Sequence, residues 1–487
     1  MSPSYEDLAS LVAAQAATIE RLEAELVVLR ARAADIDRLK SRVAELERQL
    51  GQNSGNSGKP SSRDPVAERQ RQAEERAKRS GGTKRRRGKQ RGAKGQTLEM
   101  SADPDVIVDH VPNSCGGCGA GLDPATDKGF SARQVVDLPE IRPVVTEHRA
   151  HTHLCSCGTE TTAAFPDVAR APVSYGPRVR AFVAYLLARQ HIPNRRVAEA
   201  MADLFGVEIS TGAVDCIYAE AARRLKGFIA ALVVLLRSLP VIHADETTDR
   251  VSTKNCWMHV ASTGLYTLIH ASMTRGTEAI ERAGVLIGYH GVVIHDRLAL
   301  YWKLKAKHGL CAAHLLRDLA DVATVATQTA WAAELAALLV EINTACDQAR
   351  LRGLKTVAPA AKRAFAARYD ALVAQGQAAN PEPVRRPRDY LERRSHNLVT
   401  AFATHRSSIL RYMHDLDVAF TNNQAERDLR PTKLHRKISG CFRSQAGAER
   451  FAHLRSYLST TRKNGITAID SLTRLFEGDP WMPPQPT

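Results

Sequence analysis

The order of short apolar runs in the middle of the chain constrains its fold more than any other feature. Four runs have the length and composition of buried strands, and they are VIHAD (241–245), CWMHVAS (256–262), LYTLIHAS (265–272) and GVVIHD (291–296). Thr263 and Gly264 predict a hairpin turn between the second and third runs. A helical stretch from Thr277 to Ile287 precedes the fourth run. The predicted order is therefore strand, strand, strand, helix, strand.

Two of the predicted strands end in an aspartate, Asp245 in the first and Asp296 in the fourth. An aspartate at one strand end is commonly a turn or cap residue, so the interpretation depends on the pair. In a ribonuclease H-like sheet these two strands are neighbours, which would bring both carboxylates to one edge. Two converging carboxylates can bind Mg²⁺, a cation that prefers oxygen ligands. Glu246 and Asp249 lie close to Asp245, but only Asp245 falls at the end of the apolar run.

The stretch TNNQAERDLRP (421–431) supplies a third acid. Four of its residues share one face of a predicted helix, at spacings of three and four residues, and they are Asn422, Asn423, Glu426 and Arg430. We interpret Glu426 as a ligand that completes a site for two metal ions at a phosphodiester. The asparagines would hold Glu426 or a phosphate, and Pro431 is expected to end the helix. The alternative is a capped surface helix with one Glu–Arg pair, which leaves both asparagines without a role.

Basic side chains continue along and beyond this stretch and predict a track for DNA phosphates. They are Arg427, Arg430, Lys433, Arg436 and Lys437. The whole chain has 68 Lys and Arg against 52 Asp and Glu, a net charge of +16. This balance favours a partner rich in phosphate, with nucleic acid as the first expectation.

The cysteines indicate a metal site. Nine cysteines in 487 residues are too few for a disulfide scaffold. Four of them form two close pairs, and they are Cys115 with Cys118 and Cys155 with Cys157. Each pair can present two thiolates to a tetrahedral Zn²⁺, so we predict a structural zinc site, although the second pair has one intervening residue where zinc ribbons usually have two. We interpret the nearby His148, His151 and His153 as surface or DNA-facing residues.

The N-terminal hundred residues predict a coiled coil and a basic linker. Apolar residues recur at spacings of three and four from Leu8 to Leu50, with a slip near Ile36. We therefore predict self-association, and the alternative is a single amphipathic helix packed on the protein's own body. Residues 63–95 then carry thirteen Lys or Arg and only four acids. Such a segment is either an arm that binds phosphates without specificity or a solvated linker.

Residues 177–237 are predicted to be helical. One helix would end at Phe205, Gly206 would turn the chain, and Ser210 or Thr211 would cap a second helix. This is the spacing of a helix-turn-helix, in which the second helix lies in a major groove. A helical hairpin without DNA contact has the same pattern.

No membrane partner is expected. The apolar run GFIAALVVLL, from Gly227, is roughly half the length that a bilayer span needs. The N-terminus has no charged start followed by an apolar stretch, so no signal sequence is predicted. We therefore expect a cytoplasmic protein.

Four sequence blocks, in the same order, resemble the signature blocks of the insertion sequence 66 family of bacterial transposases. They are HADET, GVVIHD, HGLCAAHLLRDL and TNNQAERDLRPTKLHRKISGCFRS. The predicted coiled coil, the QNSGNSGKPSSRD segment and the cysteine pairs resemble the N-terminal half of that family. The resemblance thus covers nearly the whole chain. One departure is SGKPS where the family has SSKPP, a change in the predicted linker.

The resemblance implies a DDE recombinase whose metal-binding triad is Asp245, Asp296 and Glu426, with Mg²⁺ or Mn²⁺. It also implies a helical insertion between Asp296 and Glu426, in agreement with the loss of strand pattern there. A further family block, Cys-x-x-His-x-x-Arg, is matched by Cys311, His314 and Arg317. We interpret His314 and Arg317 as groups that support the site or bind phosphate. A zinc role for Cys311 and His314 is not expected without two more ligands.

The resulting prediction is a multidomain α/β protein with a ribonuclease H-like core, a mixed sheet flanked by helices. Its predicted regions are a coiled coil (1–51), a basic flexible linker (52–100), a zinc-binding domain (101–170), a helix-turn-helix-like region (171–238), the first part of the catalytic core (239–318), a helical insertion (319–405), a C-terminal catalytic part (406–475) and a tail (476–487).

The predicted function is that of a DDE transposase, which cuts DNA at the ends of its element and joins the freed 3′ hydroxyl to target DNA. Expected partners are double-stranded DNA, namely the terminal repeats and the target, and a second copy of the chain bound through the coiled coil. The resemblance adds accessory proteins of the same element and a nucleoid-associated place in a bacterial cytoplasm. The alternatives are a non-catalytic DNA-binding regulator or scaffold from a decayed element, and a ribonuclease H-like nuclease that hydrolyses without joining.

Overall fold

The computed structural model describes residues 98–122, 128–169, 171–323, 328–382 and 390–486. The chain divides into two compact units, with the boundary between Asp137 and Leu138. The predicted coiled coil and nearly all of the predicted basic linker lie outside the described residues. Self-association and phosphate binding by those segments therefore stay predictions.

In the first unit, a tight turn carries the first cysteine pair. The Cys115 amide donates to Ala120 O over 2.8 Å, and the Gly119 amide donates to Cys115 O over 2.9 Å. Gly119 has a φ of 78°, a left-handed conformation that glycine adopts without steric cost. A bridge between Ser114 and Gly121 closes the turn.

The second unit begins with a two-stranded antiparallel ribbon, β1 (Thr152–Leu154) and β2 (Glu160–Thr162). The turn between these strands carries Cys155 and Cys157. The Cys155 amide donates to Thr159 O over 2.9 Å, and the Gly158 amide donates to Cys155 O over 2.8 Å. Each cysteine pair therefore lies on its own tight turn.

Four helices follow, in agreement with the helical prediction for this region. They are α1 (Pro177–Ala188), α2 (Asn194–Phe205), α3 (Thr211–Arg224) and α4 (Lys226–Ser238). Gly206, with a φ of 61°, ends α2. The Ser210 hydroxyl caps α3 by accepting from the Ala213 amide over 3.1 Å.

A five-stranded mixed sheet forms the centre of the second unit, in the order β5-β4-β3-β6-β7. Its elements are β3 (Val241–Val251), β4 (Lys254–Ser262), β5 (Thr267–Ser272), helix α5 (Thr277–Ala283), β6 (Val292–His295) and β7 (Lys307–Leu310). The first three strands pair antiparallel, whereas β3 with β6 and β6 with β7 pair parallel. The predicted order of strand, strand, strand, helix, strand is therefore present, and β7 is an additional strand that was not predicted.

Two element boundaries differ from the predictions. Strand β3 does not end at Asp245 but continues to Val251, because β4 pairs with it as far as Val251 opposite Lys254. Helix α5 ends at Ala283 and not at Ile287, because Gly284 takes a left-handed conformation with a φ of 74°.

The remaining helices complete the unit. They are α6 (Ala312–Val322), α7 (Thr329–Leu351), α8 (Pro359–Ala379), α9 (Tyr390–Thr404), α10 (Arg406–Ile409), α11 (Arg411–His414), α12 (Asn423–Ser439), α13 (Gln445–Lys463) and α14 (Ala468–Glu477). The described residues of the predicted insertion, 319–405, contain helices and no strand. Helix α6 crosses the predicted boundary at 318, and α14 ends just beyond the predicted boundary at 475.

Strand β6 connects two apolar cores by the alternation of its side chains. Val293 packs in the core formed with helices α1 to α4 and α14. Val292 and Ile294 point the other way, into the core of helices α6 to α11, where Trp331 and Phe402 are fully buried. This double burial holds the end of β6, and with it Asp296, in one position.

Helix α13 covers the outer edge of the sheet. The Ile269 amide of β5 donates to Ser456 Oγ over 2.8 Å, and the Thr267 amide donates to Thr460 Oγ1 over 3.1 Å. These hydroxyls satisfy edge groups that would otherwise have no partner or would pair with another strand. Among the described helices, none combines the length and the apolar character that crossing a bilayer requires.

Candidate active site

The parallel pairing of β3 with β6 brings Asp245 and Asp296 together. Val241 pairs with Val292, and His243 pairs with Ile294. Continuing this register by two residues aligns Asp245 with Asp296. Asp296 is the first residue after β6, and its Oδ1 accepts from the Leu298 amide over 2.9 Å. This register places Asp245 beside Asp296, and Asp245 lies within its strand and not at its end, contrary to the prediction.

The raised pKa of Asp245 indicates that several acids lie close together. Burial, together with the charges of Glu246, Asp296 and Glu426, raises the pKa of Asp245 to about 7. Burial and the charge of Glu246 also raise the pKa of Asp296, against the opposing effect of the Leu298 amide. Carboxylates that repel one another in this way are suitable ligands for a divalent cation, because the cation offsets the repulsion between their negative charges.

Glu426 comes to the cluster on the first turn of α12. Its side chain is 35% exposed, so the carboxylate borders solvent. The Glu426 amide donates to Asn422 O over 3.3 Å at the start of the helix. Helix α12 thus brings its acid close to Asp245, whose pKa the charge of Glu426 helps to raise.

Asn422 fixes the start of α12 against the sheet. Only 2% of this residue is exposed. Its Nδ2 donates to Ala244 O over 2.8 Å, and its Oδ1 accepts from His243 Nδ1 over 3.0 Å. The Asn422 amide donates to Cys311 Sγ over 3.1 Å. Both polar atoms of the side chain are therefore bonded to β3, and this geometry favours positioning of Glu426 over the predicted contact with DNA.

Pro431 lies inside α12 and does not end it, contrary to the prediction. The helix continues to Ser439. Leu429 and Thr432 on either side are buried. Tertiary packing of this helix thus offsets the hydrogen bond that proline cannot donate.

A buried ion pair that the sequence did not reveal holds α12 from the other side. Lys463 Nζ lies 2.7 Å from Asp428 Oδ2. The same ammonium donates to Thr263 O and Thr267 Oγ1 in the β4–β5 hairpin, over 2.8 and 2.7 Å. The two residues are far apart in sequence, so no spacing rule could have paired them.

Glu246 is also held firmly. Its side chain is 3% exposed, and its Oε1 accepts from Arg275 Nη2 over 2.7 Å. Tyr301 donates its hydroxyl to Glu246 Oε2 over 2.7 Å. Both carboxylate oxygens are thus occupied, so of the two neighbouring acids Asp245 and Glu246 it is Asp245 that is available to a cation.

The predicted phosphate-contacting residues divide by exposure. Among the residues predicted to bind substrate, those that are exposed are Asn423, Arg427, Arg430, Lys433, Lys437 and Arg317. His314 is half-buried on α6, and its Nδ1 lies 4.0 Å from Glu426 Oε1. Cys311 caps α6 and is buried. The block Cys-x-x-His-x-x-Arg therefore starts beside the third acid and ends at the surface.

The two cysteine pairs lie in different units, Cys115 and Cys118 in the first and Cys155 and Cys157 in the second. All four thiols are free. The hydroxyl of Thr159 lowers the pKa of Cys157 to about 7, which favours the thiolate form that binds metal.

Three protein families match the chain. Residues 172–450, more than half of the chain, match the model described as the Transposase IS66 family. Residues 112–158, which contain all four paired cysteines, match the zinc-finger binding domain of transposase IS66. Residues 11–99 match a family of unknown function (DUF6444). No match was found among curated proteins.

The second unit thus brings the three predicted acids to one sheet edge, and two family models cover the same signature blocks and cysteine pairs. The resemblance inferred from those blocks is confirmed. The chain belongs to the IS66 family of transposases.

Proposed function

We propose that this transposase is a DDE enzyme with a ribonuclease H-like core, in which Asp245, Asp296 and Glu426 bind Mg²⁺ or Mn²⁺. The observation that carries the proposal is the convergence of the three acids, expressed in the raised pKa of Asp245. The strand order β5-β4-β3-β6-β7, with two antiparallel and two parallel strand pairs, supports the fold assignment.

The donor set fits hard divalent cations. All three groups offer carboxylate oxygens, and Glu426 remains open to solvent. When bound, such cations supply charge stabilisation at the attacking and leaving oxygens of a phosphodiester. Asp245 and Asp296 would hold one edge of this site, and Glu426 the other.

The proposed reaction has two steps. The oxygen of water forms a bond to phosphorus at the element end, and the bond from phosphorus to the 3′ oxygen breaks and leaves a 3′ hydroxyl. That hydroxyl then forms the new bond to a target phosphorus, and the target 3′ oxygen leaves. No covalent bond to the protein is needed.

The remaining residues would position the DNA and the acids. The exposed basic side chains of α12 would follow the phosphate backbone, since Arg and Lys contacts to phosphate position a duplex. Asn422 and the Lys463–Asp428 pair would keep Glu426 at the sheet edge. Helices α2 and α3 are further candidates for DNA contact.

Structural zinc would be held by Cys115, Cys118, Cys155 and Cys157. The zinc-finger family match and the four free thiols support this assignment. Four thiolates satisfy a closed tetrahedral shell. A second copy of the chain, bound through residues 1–51, would bring two DNA ends into one assembly, and accessory proteins of the element would join it.

Strand assays with purified protein test the proposal. A plasmid carrying the DNA that flanks this gene is incubated with Mg²⁺, and nicked ends and joined strands are measured. We expect cutting and joining by the wild type, almost none by Asp245→Asn or Asp296→Asn, and residual activity in the control Glu246→Gln. A wild type that binds the DNA but never cuts would favour a non-catalytic scaffold, and cutting without joining would favour a nuclease.

A further inference from the structure

Three different ligand atoms meet beside the third acid. The sulfur of Cys311, a ring nitrogen of His314 and a carboxylate oxygen of Glu426 all lie within 4.8 Å of one another. Cys311 and His314 come from the start of α6, whereas Glu426 comes from α12. Two helices that are distant in sequence thus converge on one point.

Backbone hydrogen bonds hold the segments that carry these ligands in position. The Asn422 amide donates to Cys311 Sγ over 3.1 Å, which orients the sulfur. The Ala312 amide donates to Phe420 O over 3.0 Å and ties the start of α6 to the segment that leads into α12. His314 Nδ1 is buried and lies 4.0 Å from Glu426 Oε1, beyond hydrogen-bond distance. The groups that His314 interacts with here include Cys311 and Glu426, the other two members of the cluster, so a metal ion bound between the three would replace these contacts.

The distances need only a small adjustment. His314 Nδ1 lies 4.0 Å from Glu426 Oε1. Two ligands of a tetrahedral Zn²⁺, each at a bond length of about 2.0 Å, are separated by about 3.3 Å. Rotation of the half-exposed Glu426 side chain can supply this difference, because its carboxylate borders solvent.

These three ligands favour a different class of cation from the one that the acids Asp245, Asp296 and Glu426 favour. Thiolate and imidazole ligands suit Zn²⁺ and Co²⁺, whereas carboxylates and water suit Mg²⁺. Three protein ligands leave a fourth tetrahedral position open, as in zinc sites that keep one position for water. The cluster borders solvent, since the side chains of His314 and Glu426 are 36% and 35% exposed.

We propose that Cys311, His314 and Glu426 form a second metal site, which binds Zn²⁺ or Co²⁺ and uses the same glutamate as the Mg²⁺ site. Binding of a metal ion at this site does not depend on the proposed transposase mechanism. Its consequence rests on the proposed function: a bound Zn²⁺ holds Glu426 away from Asp245 and Asp296, so Zn²⁺ inhibits DNA cutting supported by Mg²⁺.

Cobalt spectroscopy on the full-length protein tests the site. The protein is first loaded with one equivalent of Zn²⁺ to fill the zinc finger, and Co²⁺ is then added. We expect a thiolate-to-cobalt absorption band for a second ion. Cys311→Ser should abolish the band. His314→Ala or Glu426→Gln should weaken Co²⁺ binding by more than about tenfold. Tenfold is the lower limit because removal of a residue that only hydrogen-bonds to a metal ligand already costs about that much affinity.

One control keeps the result specific. Cys441→Ser removes an exposed thiol elsewhere and should leave the band unchanged. If the buried substitution Cys311→Ser impairs folding, His314→Ala and Glu426→Gln at half-exposed positions carry the test. Identical cobalt spectra for the wild type and these variants would overturn the inference.

The outcomes also separate this site from the proposed function. Mg²⁺-dependent cutting with no second Co²⁺ bound would refute the second site and leave the transposase mechanism intact. A second Co²⁺ bound by a protein that never cuts DNA would establish the site and refute the mechanism. Zn²⁺ that binds at Cys311 without slowing cutting would refute the proposed inhibition.

Discussion

Asn422 illustrates how one residue can link several parts of a site. Its amide group bonds to β3, and its backbone bonds to Cys311, so the start of α12 has three fixed contacts. The sequence singled out both asparagines of TNNQ without separating their roles. Burial separates them, since Asn422 is enclosed and Asn423 is exposed.

Asn422→Ala tests this positioning role. The substitution leaves the buried Ala244 carbonyl without its donor, which costs about 1–3 kcal/mol. We expect that loss in the free energy of unfolding measured with urea, and a fall in cutting because Glu426 is no longer held. Asn423→Ala is the matched control, with an expected change within about 0.5 kcal/mol. Equal losses in the two variants would contradict the assignment.

Asp249 gives a pH-dependent prediction away from the acid cluster. It is 1% exposed, its Oδ2 has no hydrogen-bond partner among the described residues, and burial raises its pKa to about 6. In an unfolded chain an aspartate has a pKa of about 3.9. The folded state therefore retains a proton that the unfolded chain has released, and the stability from this proton is full below about pH 4 and is lost as the pH rises through about 6.

Asp249→Asn should remove this dependence. Unfolding free energies of wild type and variant are compared from pH 4 to pH 8. The stability of the variant relative to wild type should rise by roughly 3 kcal/mol over that range, the value of about two pKa units. Asp417→Asn, at an exposed position, controls for the loss of one negative charge. A difference that does not change with pH would show that Asp249 is not protonated at low pH in the fold.

At the scale of elements, helix α13 serves the sheet by hydrogen bonding as well as by packing. Its hydroxyls at Ser456 and Thr460 bond the outer edge of β5. Its last residue, Lys463, pairs with Asp428 in α12. One helix therefore closes the sheet edge and supports the helix that carries Glu426.

Ser456→Ala should expose the importance of the edge contact. The buried Ile269 amide would lose its acceptor, which costs about 1–3 kcal/mol. Ser459→Ala, three residues along the same helix, is the control, and it removes only a long bond of 3.4 Å from Arg455. Thermal and urea unfolding would measure both variants. If Ser459→Ala destabilises the protein as much as Ser456→Ala does, the loss would come from a general effect of the substitution on the helix and not from the missing bond to Ile269.

At the scale of the whole molecule, the basic surface of α12 predicts how DNA affinity depends on salt. Each phosphate contact releases counterions, so removing one contact should reduce the salt slope of DNA binding by about one. Lys433→Gln and Lys437→Gln are each expected to do so in fluorescence anisotropy with a duplex at several salt concentrations. Lys355 is an exposed lysine in the helical insertion, and Lys355→Gln removes the same single positive charge as the other two variants. It should leave the slope unchanged. An equal effect at Lys355 would mean that only net charge matters.

The sequence by itself predicted four of the five strands of the central sheet and singled out the three acids. Local periodicity predicts strands and helices because it reflects which faces are buried, and the runs ending near Asp245 and Asp296 were found in this way. Glu426 was singled out because helical spacing connects it to its neighbours. The family resemblance relied on the same blocks and was confirmed by the family comparison.

Only the tertiary structure decided which distant residues meet. Pairing with β4 extends β3 beyond Asp245, packing around Leu429 and Thr432 carries α12 through Pro431, and Lys463 finds Asp428 across the molecule. The approach of Glu426 to Cys311 and His314 belongs to the same class. The physical reason is that hydrogen bonds and ligand contacts between remote segments depend on how the elements pack, and local sequence patterns carry no information on that packing.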